Sequence, residues 1–249
     1  MTIWQACNGP DQIRPISGAL YRLVESQEHI ATLGYVDTLE EQAMLEALID
    51  TVKPPYRDEG DGYHYLLKTP FRYPPLPWGS RFGRTHERGI FYGGCSVATT
   101  LAESAYYRYV FWYSMDAAPI KAQIHSQHTL FSVGYKTRQG IRLHQPPFDA
   151  YRAELAHPAQ YQATQQLGSA MRDAGVQAFE YFSARDPAGG HCGGLYTLQA
   201  MAHKQPRDMS AWLCQASADE VAFKQVGTRE VASYPLASFL HSGRLPMPA

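Results

Sequence analysis

Arg81, Tyr92, Glu103 and Ser183 form the most informative ordered series in this chain. The first three stand at equal steps of eleven residues, within SRFGRTHERGIFYGGCSVATTLAES. The stretch from Thr69 to Arg84 leads into them with three arginines (Arg72, Arg81 and Arg84) and no acidic residue. Phe71, Tyr73, Trp78 and Phe82 are interleaved there. Guanidinium forks match phosphate oxygens, and aromatic faces stack on a nucleobase or a pyridine ring. A dinucleotide site fits that composition, and so does a solvated arginine face on a proline-rich segment. Glu103 follows close behind. A carboxylate there could hold a ribose hydroxyl and stabilise a cationic sugar, as in glycoside cleavage. Taken alone, a glutamate on a helix is solvated surface.

Ser183 ends the strand-like run Val176–Phe182 and opens SARDPAGGHCGG. Glycines after a strand let backbone approach a ligand closely, although a plain glycine-rich β connection reads the same way. The segment is neither a Walker A loop nor GxGxxG before a helix. Metal binding is not expected. His125 and His128 are three apart in a strand-like run and so face opposite ways. His191, Cys192, His203 and Cys214 lack ligand spacing. Cys95 reads as a small buried thiol beside a turn.

These residues need elements to hold them. Thr38 and Glu41 form a capping box, and Leu45, Leu48, Ile49 and Val52 follow at helical spacing, which predicts a helix with one buried stripe up to Lys53-Pro54-Pro55. From Lys53 to Ser80 come six prolines with little helical periodicity, read as an extended strap on the domain. A strand at Gly89–Tyr92 and a turn at Gly93-Gly94 precede Ser96, which caps a helix running to about Trp112. Val97, Leu101, Ala105 and Tyr109 of that helix face the core. Residues 119–143 alternate as strands (Ile120, Ala122, Ile124, then Leu130 to Val133). A helix at about 159–174 stops at Gly175. Further strands are read at Ala19–Val24, Leu195–Ala200, Ala211–Gln215 and Val221–Val226. The pattern is mixed α and β with a β-rich C-terminal half.

The whole chain sets bounds on function. Its 249 residues suit one sizeable domain or two small ones. Charged residues make up only 18%, so the 17 tyrosines are candidates to cover surface that binds a partner or a flat ligand. A net charge of −1 gives no bulk attraction to nucleic acid or anionic membrane. Four scattered cysteines without a CxxC pair point to reduced thiols. The N-terminal MTIWQACNGPDQIR lacks the features of a signal peptide, and no run approaches the ~18 apolar residues needed to span a bilayer. A cytoplasmic protein is therefore expected.

The ordered set Arg81, Tyr92, Glu103 and Ser183 resembles the RES domain, a family named for an arginine, a glutamate and a serine. LYRLVESQEHIATLGYVDTLEEQAMLEALID and HYLLKTPFRYPPLPWGSRFG extend the likeness over most of residues 19 to 200. Shorter members often carry an asparagine a few residues after the serine, where this chain has Gly189-Gly190-His191-Cys192. The resemblance implies an α+β fold, with an ADP-ribosyltransferase-like mixed β core and surrounding helices. Residues 1–249 would form a single RES-type domain, with a core at about 19–226. It also implies the toxin of a toxin–antitoxin pair, one that breaks the nicotinamide–ribose bond of NAD⁺ by phosphorolysis or hydrolysis.

In that reading NAD⁺ is the substrate, phosphate or water is the acceptor, and no cofactor or metal is needed. An Xre-like antitoxin would cover the site, and the complex allows a homodimer. Arg81, helped by Arg84, would clamp the pyrophosphate. Tyr92 would pack or hydrogen-bond near the nicotinamide ribose, Ser183 would hold a ribose or phosphate oxygen, and Glu103 would stabilise the sugar cation. Protein ADP-ribosylation and a non-catalytic antitoxin-binding role are the alternatives.

Overall fold

The computed structural model describes residues 1–26, 36–54, 62–117, 119 and 121–247. In chain order the elements are α1 (Ile3–Ala6), β1 (Arg14–Glu25), α2 (Leu39–Val52), α3 (Tyr65–Arg72), β2 (Phe91–Gly94), α4 (Val97–Tyr113) and β3 (Ile124–Arg142). Then follow α5 (Arg152–Leu155), α6 (Gln162–Asp173), β4 (Ala178–Phe182), β5 (His191–Leu195), β6 (Arg207–Ala216), β7 (Glu220–Gln225) and β8 (Val231–Pro235). The fold is α+β, built on an eight-stranded mixed sheet as expected. Among the described residues no helix is long and apolar enough to cross a membrane.

The strand order is β1-β2-β5-β4-β3-β6-β7-β8, and β1 also pairs with β3. The ladders of β1, β2, β5, β4 and β3 therefore close on themselves, with β6, β7 and β8 extending from β3. β3 and β4 run parallel and the other pairs antiparallel. Closure between β1 and β2 rests on one register pair, Tyr21 with Gly94. Side chains from all five strands meet in one core: Leu20, Phe91, Leu195, Ala178, Phe131 and Val133, capped by Leu66, Leu67 and Phe71 of α3. A second core lies between α4 and the β6–β8 extension, where Leu101, Ala105 and Tyr109 meet Trp212, Val221 and Phe223. The third gathers Leu167 and Met171 of α6 with Phe82, Phe179 and Tyr181.

Several expectations need correction. The supposed strap contains α3, started by His64, whose side chain accepts the Leu66 N–H. Pro70 lies inside this helix, and burial of Leu66, Leu67 and Phe71 holds the turn despite the lost donor. The capping box of α2 forms, with Glu41 N–H on Thr38 Oγ1 at 3.1 Å and Thr38 N–H on Glu41 Oε2 at 3.3 Å. Its apolar stripe is not buried as expected: Leu45 and Ile49 are half-buried, while Leu48 and Val52 are 59% and 81% exposed, and among the described residues α2 joins none of the three cores. Gly93-Gly94 continues β2 instead of turning, and where a strand was read at Leu195–Ala200 the strand runs from His191 to Leu195 and Leu198–Ala200 form a 3-10 turn. Residues 124–142 make one strand; Ile120, like Pro55, lies outside the described residues. The sheet spans Arg14 to Pro235.

His128 on β3 is buried, with Nε2 2.8 Å from Ser126 Oγ and its ring beside Phe223. Burial, reinforced by Arg108, lowers its pKa from 6.5 to about 4. Between those values the unfolded chain binds a proton that the folded protein excludes, so stability falls as pH drops through this window. The full window amounts to about 3 kcal/mol. Thermal unfolding at pH 7 and pH 4 should therefore show a smaller acid loss for His128→Asn than for the wild type. Equal losses would remove His128 as a cause.

Candidate active site

The local sequence places Glu103 on α4 by a strong start signal. Ser96 caps the helix, its Oγ accepting the Thr99 N–H at 3.1 Å. Leu101, Ala102, Ala105, Tyr106 and Tyr109 bury one side, while Glu103 lines a cavity on the other. Ser183, at the end of β4, donates its hydroxyl proton to Glu103 Oε1 at 2.5 Å. Ser183 Oγ in turn accepts the N–H groups of Arg185 at 3.1 Å and Asp186 at 3.0 Å. Its one proton therefore goes to Glu103. Cys192 Sγ sits 3.7 Å from the same carboxylate oxygen. Burial first, then Glu103, pushes this thiol well above its usual pKa, so it stays protonated.

Arg81 and Tyr92 are joined through the chain between them. The Tyr92 hydroxyl accepts the Phe82 N–H at 3.1 Å and lies 3.0 Å from Ser80 Oγ. Its ring stands edge-on to Phe179 and Tyr181. Burial raises its pKa to about 12, so the hydroxyl remains protonated at neutral pH. Arg81 Nη1 donates to His157 O at 2.8 Å and Leu155 O at 3.3 Å, and the guanidinium lies 4.7 Å from the Tyr161 ring centroid. Gly168 on α6 lets this segment approach, since a Cβ there would fall 1.9 Å from Phe82 O.

Tyr92 therefore anchors the arginine-bearing segment. Tyr92→Phe would orphan the buried Phe82 N–H, at a cost of about 1–3 kcal/mol. The expected result is a lower melting temperature and a KM for substrate raised ~3–10-fold as Arg81 loosens. Unfolding and steady-state kinetics check both, and an unchanged KM would remove the anchoring role. Arg84 is placed differently. Its backbone N–H donates to Glu87 Oε2 at 2.8 Å, and Arg84 is not among the residues lining the cavity.

The cavity has a volume of about 330 Å³. Among the described residues Arg22, Arg81 and Arg185 line it with a single carboxylate, Glu103, and with Trp78, Tyr92, Tyr107, Tyr161 and Tyr181. Three cations against one anion leave an excess of two positive charges, the complement of a pyrophosphate. Arg22 Nη1 donates to Tyr92 O at 3.1 Å and its guanidinium lies 5.1 Å from the Phe91 centroid. Burial lowers its pKa to about 10, which leaves it charged at neutral pH. Arg185 is buried, 3.4 Å from the Tyr106 centroid and bonded to Pro158 O. Sequence reasoning missed Arg22, Arg185, Tyr107 and Tyr161. A charge inside the apolar run Leu20–Val24 was the available signal for Arg22; nothing local marked the others. A larger concavity of about 710 Å³, lined by His125, Gln127, Leu213, Gln215 and Lys224, contains none of the four series residues.

No curated protein matches the chain. Among solved structures, the M. tuberculosis MbcT–MbcA toxin–antitoxin complex holds a chain similar to this one. The TM-score is 0.49 and the identity 11%, over 84% of this chain and 91% of that chain. A model of the RES domain matches residues 54–217, a span that contains Arg81, Tyr92, Glu103 and Ser183 and exceeds half of the sequence. The chain belongs to the RES domain family.

Proposed function

We propose that this protein is the toxin of a toxin–antitoxin pair and breaks the nicotinamide–ribose bond of NAD⁺. The observation that carries the reading is Glu103, which lines a cavity with three arginines and is held from behind by the buried Ser183. Ser183 holds Oε1, which leaves Oε2 to take a hydroxyl of the nicotinamide ribose. As the C–N bond breaks, its electron pair goes to the nicotinamide nitrogen, so nicotinamide leaves neutral and needs no general acid. Positive charge builds on the ribose ring, where the Glu103 carboxylate stabilises it. An oxygen of phosphate or water then bonds to the ribose carbon, and with water a proton is released. The arginines hold the pyrophosphate and fix the sugar in place. An Xre-like antitoxin is the protein partner of this reading, and no metal or cofactor enters it.

The test is incubation of purified, antitoxin-free protein with NAD⁺, with and without inorganic phosphate, following nicotinamide and the ribosyl product. Nicotinamide release that rises with phosphate makes the protein a phosphorylase. Phosphate-independent release of ADP-ribose makes it a glycohydrolase. If folded protein releases nothing, the reading fails. Nicotinamide release with the ADP-ribose label of NAD⁺ retained on protein, and no free ribosyl product, would instead assign protein ADP-ribosylation.

A further inference from the structure

Ser183 reaches Glu103 from a loop, residues 183–190, that contacts α4 at a second point. Thr99 stands four residues before Glu103 on α4, one helical turn away on the same face. Its hydroxyl donates to Asp186 Oδ2 at 2.8 Å. Thr99 is 2% exposed, and a carboxylate only accepts, so the direction of this bond is fixed. Ser96 Oγ, 2.9 Å from Thr99 Oγ1, must then donate to it, which completes a relay from the helix cap to Asp186. Asp186 is bonded on both sides: its backbone N–H donates to Ser183 Oγ while its side chain holds the helix.

The loop is closed around this residue. Asp186 Oδ1 accepts the Ala188 N–H at 2.9 Å, Asp186 O accepts the Gly189 N–H at 2.9 Å, and the Ser183 N–H donates to Gly190 O at 2.9 Å. Gly190 lies against the bond itself, since a Cβ there would fall 2.1 Å from Thr99 Oγ1 and 2.3 Å from Asp186 Oδ2. The positive end of the seventeen-residue helix α4 favours a carboxylate at this place.

We infer that Asp186 is a positioning residue whose bond to Thr99 clamps the 183–190 loop onto the first turn of α4 and sets the Ser183–Glu103 contact. This rests on the reading of Glu103 as the residue that stabilises the sugar cation. Asp186 acts through Ser183 and touches no substrate.

The experiment is a kinetic cycle on the full chain with NAD⁺ as probe. Asp186→Ala and Thr99→Val should each lower kcat ~10-fold with KM within about twofold, because the clamp orients a transition-state contact. Asp186→Asn, which still accepts from Ala188 and can donate to Thr99 Oγ1, should stay within about threefold of wild type. In a Ser183→Ala background, Asp186→Ala should change kcat less than about twofold. Losses that multiply in that background, or an unchanged kcat for Asp186→Ala, would overturn the inference. Amide exchange supplies a second reading. The amides of residues 183, 185 and 186 should lose protection in Asp186→Ala while those of β3 and β4 keep it, and equal protection would also overturn the clamp. Wild-type protein that releases no nicotinamide would refute the NAD⁺ reading alone, leaving the clamp to the exchange data.

Discussion

A Glu103→Ala protein is expected to cleave NAD⁺ ~10²–10³-fold more slowly than wild type while binding it almost as well. The asymmetry follows from when the charge appears. NAD⁺ in its ground state offers Glu103 a neutral ribose hydroxyl, and the hydrogen bond between them replaces bonds that both groups make to water. Cation character on the ribose develops only as the C–N bond stretches, so the carboxylate acts mainly on the transition state. Ser183 adds to this by fixing Oε1 at 2.5 Å, so the carboxylate is oriented before substrate arrives. Nicotinamide release gives kcat, and calorimetry on the inactive variant gives NAD⁺ affinity. Glu103→Gln separates charge from shape, since its amide oxygen still accepts the Ser183 proton. If Gln restores turnover, the carboxylate's charge does nothing for the reaction; if Ala retains full turnover, Glu103 has no role.

Helix α4 was legible in the sequence for a local reason. Ser96, and Leu101, Ala105 and Tyr109 at four-residue steps, fix start and core face within a few turns. The Gly175 stop after α6 is equally local, with φ at +78°. The partners of β1 were not legible. Alternation assigns Tyr21 and Arg22 to opposite faces but names no neighbouring strand, and β1 pairs with both β2 and β3. Arg22 consequently went unnoticed, because only that pairing brings it to Tyr92 O.

The same limit applies to Ser183. Its place in the ordered series could be read, but the acceptor of its proton lies eighty residues away and is set by packing. α2 erred in the opposite direction. Apolar spacing predicts a buried stripe, yet burial needs a facing surface, and Leu48 and Val52 have none among the described residues.

Arg81→Ala should leave the opposite kinetic signature in the same cavity, a KM for NAD⁺ raised ~10–100-fold with a smaller change in kcat. Nη1 uses both of its protons on His157 O and Leu155 O, and the guanidinium plane rests on Tyr161. Those contacts immobilise the group without neutralising it, since carbonyls and a ring carry no net charge. The Nε–H and Nη2–H edge is left as a two-pronged donor for phosphate oxygens. Charge-assisted hydrogen bonds of this kind contribute about 1.5–3 kcal/mol each, present in ground and transition states alike. Arg81→Lys keeps the charge but loses the fork and the stacking, so it should recover only a small part of the affinity. Raised salt should weaken wild-type binding more than that of Arg81→Ala, because one cation fewer faces the pyrophosphate. A normal KM with a large fall in kcat would reverse the assignment: Arg81 would then act on the transition state, and the grip would belong to Arg22 and Arg185, the other two cations lining the cavity.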